Sequence, residues 1–191
     1  MSDDKPAREI QEYLARPTTV RFISCARNFI AVLELKNLSK SQFLTKSHSA
    51  LLELYSAGHF LEVIKLKYSN AESDFDRVSL FEPVASLPEL GEEAYYWEVF
   101  DPTYIERDGK PGLGWEISDK EASQGWLIDD FGDIYRDLKI ALNMIDSIAT
   151  DEAIEDALWE LKWGFFHHWG NHCINALRYL HYLYYEGKNA I

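Results

Sequence analysis

The last third of the chain carries the strongest constraint on its fold. Leu127, Phe131, Ile134, Leu138, Ala141, Ile145 and Ile148 recur in alternating steps of four and three. That spacing keeps one apolar stripe on one side of an α-helix, whereas strand side chains alternate every second residue. Asp119 or Ser118 offers a cap for a helix reaching about Ile148, and "ATDEA" then supplies a tight turn with Thr150 or Asp151 as the next cap. One further helix is expected to run to about Glu186 and stop at Gly187. Leu158, Leu161, Phe165, Trp169, Ala176, Leu180 and Leu183 form one face of it, with Trp159, Phe166, Cys173, Leu177 and Tyr184 beside them. A helix apolar over so much of its circumference has neighbours on several sides.

The first third repeats the pattern. Ile10, Tyr13 and Leu14 predict a short N-terminal helix ended by Pro17, and Thr18 or Thr19 can cap a helix reaching about Lys36. Its core set is Phe22, Ile23, Ala26, Phe29, Ile30 and Leu33. Asn37 stops it. Ser39 or Ser41 caps a third helix carrying Phe43, Leu44, Leu51, Leu54 and Tyr55, reaching towards Ile64 with a weak point at Gly58. The short connection predicts an antiparallel hairpin. Glu34 and Glu53 read as solvated flanks or ion-pair partners of these helices.

Between residues 65 and 118 the periodicity dissolves into an acidic, irregular insert. "EEAYYWEVF" reads as a short amphipathic piece, and "DPTYIERDGKPGLGWEISD" as a bent loop covering the bundle. Gly109, Gly112 and Gly114 lack the preceding strand and following helix that a phosphate loop requires. The expectation is an all-α antiparallel bundle of four main helices plus short ones. Residues 1–17 form an N-terminal arm or short helix, 18–187 the bundle domain, and 188–191 a tail.

Composition excludes several functions. At 191 residues, with 47% apolar and 27% charged residues, the chain builds a core without staples. Cys25 and Cys173 lie in apolar-periodic segments and read as buried thiols of a reducing compartment. With no secretory leader or bilayer-length apolar run in view, a cytoplasmic location and no membrane contact are expected. Net charge is −13, concentrated as −8 in residues 65–121 and −6 in 122–191. Such a surface repels nucleic acid and attracts a basic protein or cations.

A polar stripe runs beside the apolar seams. Asp129, Asp130, Asp133 and Asp137 share one side of their helix, with Asp130 and Asp137 nearest the core. His168, His172, Asn175 and Tyr179 form a row on the last helix, while His167 points to solvent. In an antiparallel hairpin turning at 149–152, facing residue numbers sum to about 301, so Asp129 lies level with His172 and Asp133 with His168. Three readings follow. A hydrogen-bonded network neutralised by Arg136 or Arg178 would fix the register. Alternatively, Asp129, Asp133, His168 and His172 would hold a divalent metal, zinc or manganese, in a hydrolase. The third is a metal-free acid–base pair.

"DDFGDIYRDL" (129–138) followed by "HWGNHCINALRYLH" (168–181) resembles an uncharacterised bacterial helical family, a domain of unknown function. The likeness spans about residues 20–187. It implies an all-helical fold with Asp129, Asp130, Asp133, Arg136, Asp137, His168, His172 and Arg178 in its signature, and it supplies no activity, substrate or cofactor. The leading expectation is a non-enzymatic, cofactor-free protein-binding module of the immunity-protein or adaptor type. Its partner surface would include Glu92, Glu93, Tyr96, Trp97 and Trp115, within an aromatic stretch that also holds Tyr95.

Overall fold

A computed structural model describes residues 6–69, 75–77, 87, 89–99, 106–107, 110–111 and 122–185. It is mostly helical. Helix α1 (Arg8–Leu14) buries Ile10 and Tyr13, and Pro17 both ends the turn after it and opens α2 (Pro17–Glu34). Proline suits that first position because its missing N–H would have no intrahelical partner. The cap residue is therefore Arg16 rather than the expected Thr18 or Thr19. Phe22, Ala26, Phe29, Ile30 and Leu33 are buried as their spacing predicts.

Asn37 reverses the chain with a left-handed φ of 63°. Ser39 then caps α3 (Lys40–Phe60) in a reciprocal box with Gln42. Gly58 is no weak point: a Cβ there would lie 2.6 Å from the indole of Trp169, so the glycine admits that ring. Phe22 and Trp169 meet at 5.8 Å, and Phe43 meets Phe131 edge-on at 5.6 Å, joining the α2–α3 hairpin to the C-terminal helices. A satellite core of Ile10, Tyr13, Ile64, Ile154 and Leu158 seats α1.

Two sequence expectations need correction. "EEAYYWEVF" is a 3₁₀ turn (Gly91–Ala94) followed by strand β1 (Tyr95–Val99). The short pair β2 (Glu106–Arg107) and β3 (Lys110–Pro111) comes next, and then β4 (Ala122–Trp126). β1 and β4 are antiparallel, with Tyr95 opposite Trp126 and Val99 opposite Ala122. Helix α4 (Leu127–Asn143) consequently starts seven residues later than the cap at Asp119 implied, and it continues through a π turn (Met144–Ile148). Residues 118 and 119 lie outside the described residues, as do Trp115 and most of residues 101–119, where a bent loop is expected.

The second correction concerns the last helix, which is two. α5 (Asp151–His167) and α6 (Trp169–Tyr185) break at His168, whose φ and ψ are −142° and −95°. Trp169 causes the break. Its fully buried indole turns back along α5 and donates its N–H to the Leu161 carbonyl at 2.9 Å. Gly170 permits the close return, because a Cβ there would stand 1.9 Å from the Phe165 carbonyl oxygen. Five long helices, α2 to α6, thus replace the expected four.

Candidate functional site

Helix α4 presents Asp130, Asp133 and Asp137 at steps of three and four, so they stack on one face. Helix α6 presents His172 and Asn175, and His168 sits at the break in front of it. The two rows meet. His172 Nδ1 lies 2.8 Å from Asp130 Oδ1, and His168 Nδ1 lies 2.6 Å from Asp137 Oδ2. Each histidine is therefore oriented by one carboxylate through Nδ1, which leaves Nε2 as the nitrogen that could hold a metal. His172 Nε2 points at Asp133 Oδ2, 3.3 Å away.

A ring nitrogen of each histidine and a carboxylate oxygen of Asp133 lie within 4.8 Å of one another. Ligands about 2.0–2.2 Å from a tetrahedral zinc stand roughly 3.3–3.5 Å apart, so the His172–Asp133 spacing already fits. Asp133 has a second anchor: Arg136 grips its other oxygen at 2.7 Å and approaches Asp137 at 3.8 Å.

Burial grades the site from core to solvent. Asp130 is only 4% exposed, Asp133, Asp137, His168 and His172 are half-buried, and Asp129 is exposed. The hydrogen bond to Asp130 raises the His172 pKa despite burial, with the charges of Asp130, Asp133 and Asp129 adding to the rise. Cys173 is fully buried behind this row, and burial pushes its thiol pKa up, so it carries no nucleophile.

Asp129, one of the four residues weighed as metal ligands, is not brought into the trio. Because α6 starts afresh after the break at His168, the simple hairpin register does not govern it. Asp133 reaches His172 and Asp137 reaches His168, one helical turn beyond the expected Asp129–His172 and Asp133–His168 levels. Asn175 donates to Glu98, and Arg178 lies exposed, apart from the network. Of the partner-surface residues, Glu92 and Trp97 are exposed, while Glu93 pairs with Lys40.

Tyr96 belongs to the site. Its hydroxyl donates to Asp130 Oδ2 at 2.5 Å, completing a Tyr96–Asp130–His172 chain. Burial, and then that bond, pushes the phenol pKa far above its ordinary range. Gly125 makes room, because a Cβ there would meet the Tyr96 ring at 2.5 Å. The readable signal was the period-two order of "YYWEV", which turns Tyr96 and Glu98 to one face.

Beside His168 and Asp137 opens a cleft of about 190 Å³, which Arg77, Glu160 and Trp163 also line. Among the described residues, no helix is long and apolar enough to cross a membrane.

Comparison with known proteins adds a family and a fold. No curated protein matches the chain. The crystal structure of protein BF1032 from Bacteroides fragilis is similar, with a TM-score of 0.64 and 20% identity. The alignment covers 94% of this chain and 99% of that one, which establishes a shared fold. Residues 14–186 match the family described as "Domain of unknown function (DUF5063)". The chain belongs to that family.

Proposed function

We propose that the chain binds one divalent transition-metal ion through Asp133, His168 and His172, and uses it for metal-assisted hydrolysis. The supporting observation is the convergence itself: two carboxylate-oriented imidazoles and one arginine-anchored carboxylate on facing elements. Two nitrogens and one oxygen suit zinc or manganese. Three protein ligands leave a coordination position for water, whose acidity the ion would raise. Asp130 and Asp137 would orient the ligands.

The test is to strip the untagged protein with chelator and add zinc, manganese or cobalt(II). Binding at one ion per chain should raise the melting temperature and give a tetrahedral cobalt spectrum. Asp133→Asn should lose both, together with any metal-stimulated cleavage of p-nitrophenyl esters or phosphates. Failure of all three ions to bind would sink the reading. Binding without cleavage would sink its hydrolytic half.

A second reading, an interaction module for a basic protein, draws support from the β1–β4 ladder. Trp97 is 71% exposed, and Tyr95 stacks on Trp126 at 6.1 Å with both rings open to solvent. Charge reversal at Glu92 should weaken such a complex, as should added salt. Indifference to both contradicts this reading.

A further inference from the structure

On the side of β1 facing α6 lies a cleft of about 310 Å³. Its lining includes Tyr96, Trp97, Glu98, Asn175, Arg178 and Tyr179. Tyr96 and Tyr179 stack at 5.0 Å, and both hydroxyls are tied down outside the cleft. Tyr96 donates to Asp130 and Tyr179 to the Glu93 carbonyl. The rings are therefore set in place before any ligand arrives, which lowers the ordering cost of binding.

Within this aromatic wall sits one half-buried carboxylate, Glu98, held by the Asn175 side-chain amide. Burial raises its pKa, and the neighbouring charges of Asp130 and Asp129 raise it further, which marks the locale as electronegative. A positive ligand would relieve that field, and the negative faces of the aromatic rings attract the same sign. Arg178 lies exposed on the lining and has no described ion-pair partner. It opposes a cation, and the site's polarity is therefore set by Glu98 against Arg178.

We propose that this cleft binds an organic cation, an ammonium or guanidinium group, between Glu98 and the rings of Tyr96 and Tyr179. The cleft shares Tyr96 with the candidate metal centre but needs no ion there. The cation's source is either a free quaternary amine or a lysine or arginine side chain of a partner.

Titration of the full chain with choline, Nα-acetyl-lysinamide, Nα-acetyl-argininamide and the anion Nα-acetyl-glutamate, followed by amide NMR and tryptophan fluorescence, tests it. At least one cation should bind saturably, with shifts at Glu98 and Tyr179, and the anion should not. Preference for choline identifies a small-molecule site; preference for the amino-acid amides identifies a side-chain pocket. Glu98→Gln should weaken the cation about tenfold, while Arg178→Gln should strengthen it. Because these two changes are predicted to act in opposite directions, simple loss of folding cannot imitate the result. The proposal is overturned if no cation saturates, if the anion binds instead, or if Glu98→Gln has no effect while the amide spectrum stays native.

Discussion

Helix α5 and the α4–α6 seam both bury charge, and they use it differently. On α5, Glu155 is 1% exposed and one of its oxygens accepts the backbone N–H groups of Lys67, Tyr68 and Ser69 at 2.7–2.8 Å. Lys162, 6% exposed, donates to the carbonyls of Gly58 and His59 and closes the end of α3. The Phe165 and Phe166 rings lie 4.9 and 4.6 Å from its ammonium. Both charges are bound to main chain and aromatic walls, which is what a structural role requires. On the α4–α6 seam, side chains bond to one another, and imidazole nitrogens remain directed towards a carboxylate. Burial of charge alone therefore does not mark a functional site. Under the proposed reading, convergence of imidazole and carboxylate side chains on one another does.

The comparison predicts opposite phenotypes. Glu155→Ala should be the most damaging of these changes, leaving three part-buried N–H groups without their acceptor and costing about 3 kcal/mol or more in urea unfolding. The same variant, where folded, should keep its metal response. Gly170→Ala should come next, losing about 2–3 kcal/mol because Trp169 can no longer fold back on α5. It should also impair metal binding, since the break it disturbs positions His168. Normal stability in Gly170→Ala would show that the break has another cause.

That break illustrates what the sequence could and could not convey. The seams of α2 and α4 and the Ser39 cap were legible because each depends on residues a few positions apart. The end of α5 was not, because it depends on one indole reaching a carbonyl eight residues back and on room supplied by Gly58 of another helix. The same holds for β1 and β4, whose pairing spans more than twenty intervening residues. For the site, the types and the stripe were legible, but the partners were displaced by a helical turn, and Tyr96 joined from a strand that periodicity alone had not declared.

Smaller effects sharpen the contrast. Asp133→Asn should change stability by no more than about 1 kcal/mol, since the residue is half-buried and Arg136 can turn to solvent. It should nonetheless abolish metal binding. Asp130→Asn and Asp137→Asn should weaken the metal about 10–100-fold without abolishing it, as orienting partners do. Smallest is a pH effect on α5. Burial lowers the Lys162 pKa, so between that lowered value and 10.5 the unfolded chain holds more protons than the folded one. Stability of the native sequence, relative to Lys162→Met, should therefore rise with pH across that window. Thermal unfolding of the two proteins at several alkaline pH values checks the sign, and a falling difference would refute it.

The most direct test of the central contrast is metal stoichiometry by elemental analysis, on untagged protein reconstituted with zinc or manganese and desalted. About one ion per chain is predicted for the native sequence and for a folded Glu155→Gln variant, and about none for Asp133→Asn or His172→Ala. Less than about a tenth of an ion in the native chain, with no rise in melting temperature, would contradict the account.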